Sequence, residues 1–184
     1  PYGINVEQEN NVIEINLPPM AFMGAGSGDL LLLAPKSTSL QLSCLGGDVV
    51  IEGINGEIEV EAMGGNITLT SVSGAVVANT MGDIDATLDG IKPNTPMSFS
   101  TFGGDIDVTL PATIKATLFL NSHGEIYTDF DTSNRKKRRK ISKEEDKEAF
   151  RMDVEDVLEI PINGGGSEIE FSNFTGNIYI RKGK

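Results

Sequence analysis

Six consecutive cations, Arg135, Lys136, Lys137, Arg138, Arg139 and Lys140, interrupt a chain of 184 residues whose formal net charge is −12. A run of that kind attracts anionic polymers through contacts that weaken as salt rises. Opposite charge follows at once in "SKEEDKE" (142–148), and Ser142 and Glu145 have the spacing of a capping box for a short helix. The segment therefore reads as a solvated, charged loop, with an anionic glycan or other anionic polymer as the ligand it would take. The pairs Asp83/Asp85 and Asp105/Asp107 could supply the two carboxylates of a polysaccharide-active enzyme, although an Asp-x-Asp spacing also follows from strand alternation alone. His123 is the sole histidine, lies in "NSHGEIY", and has no G-x-S-x-G near it, so it reads as a corner residue and not as a catalytic base. Cys44, the sole cysteine, excludes an internal disulfide and reads as a small core residue. Tyr127 and Tyr179, at outward strand positions, and Tyr2 are the aromatic candidates for ligand contact.

The elements that would position these groups come from repetition. In rows of nine, "LGGDVVIEG" (45–53), "INGEIEVEA" (54–62), "MGGNITLTS" (63–71) and "VSGAVVANT" (72–80) align as apolar, any, Gly, then usually Asp, Glu or Asn, then apolar-any-apolar. The fifth row, from Met81, is one residue short. Alternation with period two is the mark of a half-buried strand. The rows predict Val49, Ile51, Ile58, Val60, Ile67, Leu69, Ile84, Ile106, Val108, Ile126, Ile178 and Ile180 as inward ladders. Gly47, Gly56, Gly65 and Gly74 are expected at the corners, several with positive φ.

Corners of the Gly-pair kind begin at 45, 63, 81, 102 and 122, which is 18, 18, 21 and 20 residues apart. Two strands per coil, with like corners stacked on like, follow from that alternation, because such a chain closes its core only by stacking. The predicted fold is all-β: a right-handed parallel β-helix or β-roll-like solenoid, about 9 residues per strand and about 18–21 per coil. A single domain over 1–184 is expected. It opens on a strand pair at 4–18, carries a charged insertion between rungs at 132–163, and resumes its rungs at 164–184.

Between Ser39 and Asp131 thirteen acids face only Lys92 and Lys115. Such a surface disfavours nucleic acid, whose binding needs phosphate neutralisation by Lys and Arg. No apolar run reaches the roughly 20 residues of a helical membrane span. The nine-residue step invites comparison with calcium-binding β-rolls, but "GGDVVIEGI" has Val and Ile where that motif needs Gly and Asp. A looser cation site would need Asp48, Asn66, Asp83, Asp105 and Glu125 stacked on one edge; solvated corner residues are the simpler reading, and no cofactor or metal is expected.

The succession of G-[DEN]-[IV]-x-[VL] units, the preceding "LLLLAPKSTSLQLS" and the closing "GGGSEIEFSNFTGNIYIRK" resemble the bacterial adhesin-type β-strand-repeat proteins of otherwise unknown function. The resemblance runs from about Asp29 to the end, the charged insertion excepted. It implies an exported, extracytoplasmic envelope module, its leader removed, that binds or scaffolds and does not catalyse. The implied partners are a glycan, an envelope polymer or another envelope protein. A polysaccharide-active β-helix enzyme is the alternative.

Overall fold

The structure is a computed structural model in which residues 5–16, 30–146 and 149–184 are described, the side chains of 139–155 excepted. Tyr2 lies outside the described residues. The chain divides into two compact units, Pro1–Ala34 and Pro35–Lys184, where the sequence suggests a single one. In the first, β1 (Asn5–Glu9) and β2 (Val12–Asn16) pair antiparallel. Asn10 and Asn11, with φ of 50° and 66°, make the two-residue turn whose twist suits a hairpin.

The second unit is the solenoid. Its first coils are β3 (Leu40–Cys44) with β4 (Val49–Glu52), β5 (Ile58–Ala62) with β6 (Ile67–Val72), β7 (Val76–Thr80) with β8 (Ile84–Leu88), and β9 (Met97–Thr101) with β10 (Ile106–Leu110). Then come β11 (Ala116–Ser122), β12 (Ile126–Thr128), β13 (Lys136–Asp146), β14 (Ala149–Ile162), β15 (Ser167–Asn173) and β16 (Ile178–Lys182). Odd and even strands of the coils form separate sheets. One has the order β13-β14-β11-β15-β9-β7-β5-β3 and the other β12-β16-β10-β8-β6-β4. All pairs are parallel except those made by β14.

The register repeats the sequence period: Leu40, Ile58 and Val76 align in one sheet, and Val49, Ile67, Ile84 and Ile106 in the other. The short row at Met81 is taken up at its corner, where Gly82 stacks on Gly65 and Ile84 still pairs with Ile67; a separate register shift follows between Leu69 and Val72, where Ser71 takes φ of 52°. Ten of the twelve expected ladder residues are buried; Val49 and Ile126, in terminal coils, are only half-buried. Phe99 and Phe171 stack at 5.4 Å between adjacent coils at the core's widest residues.

Two features depart from the expected plan. Residues 132–163 are not a loop with a helical start: β13 pairs along its whole length with β14, and the end of β14 joins β11. The local capping signal loses to cross-strand pairing, since the register sets Lys136 opposite Glu159, Arg139 opposite Asp156 and Lys140 opposite Glu155. The C-terminal pair β15–β16 also does not simply follow the earlier coils. It lies between β9–β10 and β11–β12.

Candidate functional site

The corners that follow β7, β9 and β15 are built from three ladders, the outer two of which begin at earlier coils. Innermost, the last residue of the strand ties two coils: Thr80 Oγ1 donates to the Gly65 carbonyl (2.7 Å), Thr101 Oγ1 to Gly82 (2.6 Å), and Asn173 Nδ2 to Gly104 (2.7 Å). Each also accepts from its own corner: Gly82 N–H donates to Thr80 Oγ1 (3.1 Å) and Gly176 N–H to Asn173 Oδ1 (2.7 Å). Next, Gly65, Gly82, Gly104, Gly176 and Gly124 press on the backbone of the coil before them, so that a Cβ on any of them would meet a carbonyl inside 3.0 Å. Gly56 and Gly74 do the same at the opposite corner. Only Gly47 and Gly65 of the four expected glycines have positive φ; close approach, not dihedral need, explains Gly56 and Gly74.

The third ladder is the stack of acids and amides. Asp48 accepts from Asn66 N–H (2.8 Å), Asn66 from Asp83 (2.9 Å), Asp83 from Asp105 (2.9 Å), Asp105 from Asn177 (2.7 Å), and Asn177 from Glu125 (3.0 Å). The stack on one edge exists, with Asn177 as its sixth member, and one oxygen of each linking side chain is engaged by the next coil. Among the described residues no three His, Cys, Asp or Glu side chains group closely enough to hold a metal ion.

Outside these ladders runs a row that sequence reasoning missed. Leu45, Met63, Met81, Phe102 and Phe174 are 52–67% exposed, one per coil, and His123 continues them. Phe102 stacks on Phe174 at 4.9 Å and 10°, and His123 tilts against Phe174 at 5.0 Å. Beside the row, Glu61, Asn79, Ser100, Ser172 and Asn121 line an open groove of about 510 Å³. The signal was the apolar first column of the nine-residue rows. Its members split by corner: Ile54 and Val72 are buried, Leu45, Met63 and Met81 exposed.

The even sheet carries the tyrosines. Tyr127 and Tyr179 stack at 5.0 Å and 4°. Tyr127 donates to Glu125, whose carboxylate holds the phenol above its usual range. Arg181 lies 5.6 Å over Tyr179 and grips Asp107 with two nitrogens at 2.6–2.8 Å. Asp85 pairs with Asp107 across the strands, and desolvation, then Asp107 and Asp83, push its carboxyl up, against a smaller opposing pull from Arg181. Asp83 and Asp105 belong to the corner ladder, so each of the two Asp-x-Asp pairs divides between corner and sheet. Cys44, at the terminal coil, is half-buried, which raises its thiol.

Of the basic run, Arg135 precedes β13 and Lys136, Lys137, Arg138, Arg139 and Lys140 lie on it, at the edge of the eight-stranded sheet. Arg138 pairs with the buried Glu159. The hairpin is close to neutral as a whole: 135–162 holds nine Lys and Arg against eight Asp and Glu.

A family model described as Toastrack DUF4097 matches residues 8–157. The chain belongs to this family. The Toastrack match takes in the solenoid as far as β14 and stops before β15–β16. No curated protein and no solved structure is matched. Toastrack membership agrees with a parallel β-solenoid and assigns no function.

Proposed function

We propose that this chain is an extracytoplasmic module of the cell envelope that binds or scaffolds, in the manner of an adhesin, without catalysis, and that its partner is another envelope protein. The exposed row Leu45, Met63, Met81, Phe102, Phe174 and His123 carries this reading. Monomeric surfaces rarely leave a contiguous apolar line uncovered unless something docks there. Phe102 and Phe174 lie face to face and His123 tilts against Phe174. The rings thus spend faces on one another, where a sugar needs an open one, and this favours a protein over a glycan. The thirteen acids of the coils work against an anionic polymer. Of the cations of β13, the alternative contact for such a polymer, Lys136, Arg139 and Lys140 stand opposite acids of β14 and Arg138 pairs with Glu159.

The test compares the purified chain with a Met81→Ser/Phe102→Ser variant on immobilised envelope proteins and on glycan and anionic-polymer arrays, with reducing-sugar release measured in parallel. The expected result is retention by envelope protein, at least tenfold weaker in the variant, at nearly unchanged melting temperature. Equal retention of the two, retention on glycan alone, or sugar release overturns the reading.

A further inference from the structure

The C-terminal strand pair occupies a slot whose two walls are other parts of the chain. β15 pairs with β9 on one side and β11 on the other, and β16 with β10 and β12. Among the described residues no other strand pairing joins β11–β14 to the coils before them. The fit is specific along the whole length. Phe171 stacks on Phe99, Asn173 bonds the Gly104 carbonyl, Asp105 accepts from Asn177 N–H, Arg181 holds Asp107, and Gly183 N–H reaches the Leu110 carbonyl at 2.8 Å.

The route into the slot is tight. β14 and β15 flank β11, with Ala116 facing Ile162 on one side and Ser167 on the other. Asn163–Gly166 must therefore step over the start of β11, across two strand spacings, roughly 10 Å. Asn163, Gly164 and Gly165 all take positive φ there, at 49°, 91° and 82°. Asn163 Nδ2 fastens the bend to the Ala112 and Ile114 carbonyls at 3.1 and 2.7 Å. A short, bent connection leading to a long, fully paired element is the arrangement in which identical elements exchange between copies.

We propose that the slot between β9–β10 and β11–β12 is a strand-exchange site, and that its second occupant is the 164–184 segment of another copy of this chain. Every contact within the slot is kept on exchange, and only the bend at Asn163–Gly166 changes. This inference stands apart from the proposed protein partner of the corner row.

Deleting Gly164, Gly165 and Gly166 tests it. Two Cα steps then join Ile162 to Ser167, at most about 7.6 Å, too short to cross β11 within one chain. The full-length deletion variant should be folded by circular dichroism and run at twice the 19.7 kDa chain mass. A chain with four residues inserted after Gly165 should stay monomeric. To place the segment, Phe102→Cys and Phe174→Cys chains, both with Cys44→Ser, are mixed, unfolded, refolded together and oxidised. A covalent dimer should form from the mixture and from neither chain alone, since residue 174 of one copy then lies against residue 102 of the other. This arm uses the unshortened bend, so it answers even where the deletion prevents folding. A folded monomeric deletion variant overturns the proposal, as does a mixture of the two cysteine chains that gives no covalent dimer.

Discussion

Replacing Gly104 by alanine strikes the stacking of the coils at one point. Gly104 does not have positive φ, so alanine meets no dihedral penalty there. Its Cβ would instead fall inside 3.0 Å of the Gly82 carbonyl and the Asp83 nitrogen. The coils must separate locally, and three hydrogen bonds cross at that place: Asp105 N–H to Asp83 Oδ1 (2.9 Å), Thr101 Oγ1 to Gly82 O (2.6 Å), and Ile84 N–H to Asp105 O (2.9 Å). At about 1 kcal/mol net for each, their loss comes to about 3 kcal/mol. Gly47 is the matched comparison, with φ of 92° and nothing within 4 Å of an added Cβ. Alanine there meets only left-handed strain, about 1 kcal/mol. For a chain of this size 1 kcal/mol moves the melting temperature by about 2–4 °C. Gly104→Ala should thus lower it by about 6–12 °C and Gly47→Ala by about 2–4 °C, followed by far-UV circular dichroism with urea unfolding as a check. Equal losses at the two positions would refute the close approach of the coils.

Asn66→Asp sets a third carboxylate between Asp48 and Asp83 in the corner ladder; at ~4.8 Å spacing each new repulsion is about 0.9 kcal/mol in water, so stability should fall at low salt and recover in 1 M salt. Asp85→Asn should raise the melting temperature at pH 7, because a carboxyl raised in the folded state opposes folding once ionised. That advantage should vanish as the pH falls below the ordinary aspartate pKa, where the native carboxyl is protonated in both states; a gain that persists in acid contradicts the assignment. Arg138→Gln leaves the Glu159 carboxylate without its cation and should cost about 1–3 kcal/mol, less than a wholly buried pair because Arg138 is mostly exposed. Lys137→Gln, by contrast, should change urea stability by under about 0.5 kcal/mol.

The coil was legible because period two and the glycine corners are local signals. Ile58, Ile67 and Ile84 could be assigned inward from the rows alone, and the same alignment showed five members of the acid and amide stack, although solvated corner residues were the simpler reading of them. The innermost ladder was not legible, since a Thr or Asn ending a strand, as in "NTMGD", "STFGGD" and "SNFTGN", looks no different from a solvated polar residue until the coil beneath supplies its carbonyl. The charged segment was misread for a related reason. A capping pattern such as Ser142/Glu145 is visible within four residues, whereas the match of "RKKRRK" to "EDVLE" needs a partner some twenty residues away. The place of β15–β16 was hidden more deeply. Asp105 could stack on Glu125 as well as on Asn177, and only the three-dimensional pairing decides between them. The exposed corner row was present as a column of apolar letters, but nothing local separates Met63 at the outer corner from Ile54 in the core.

The position of the last strands sets the order in which the solenoid can be completed during synthesis. A ribosome delivers β3 to β10 as a growing stack, each coil finding its floor already laid. β11 to β14 emerge next and have no native floor, because the pair that will support them has not yet been made. Until Lys182 is free of the ribosome, the apolar underside of β11 and Leu118 and Leu120 within it must wait exposed or settle provisionally on β9 and β10, from which β15–β16 must later displace them. The arrival of β15–β16 is therefore an insertion into the middle of the stack and not an addition to its end, and a nascent chain halted before Ser167 would lack the strands that natively join β11 and β12 to β9 and β10.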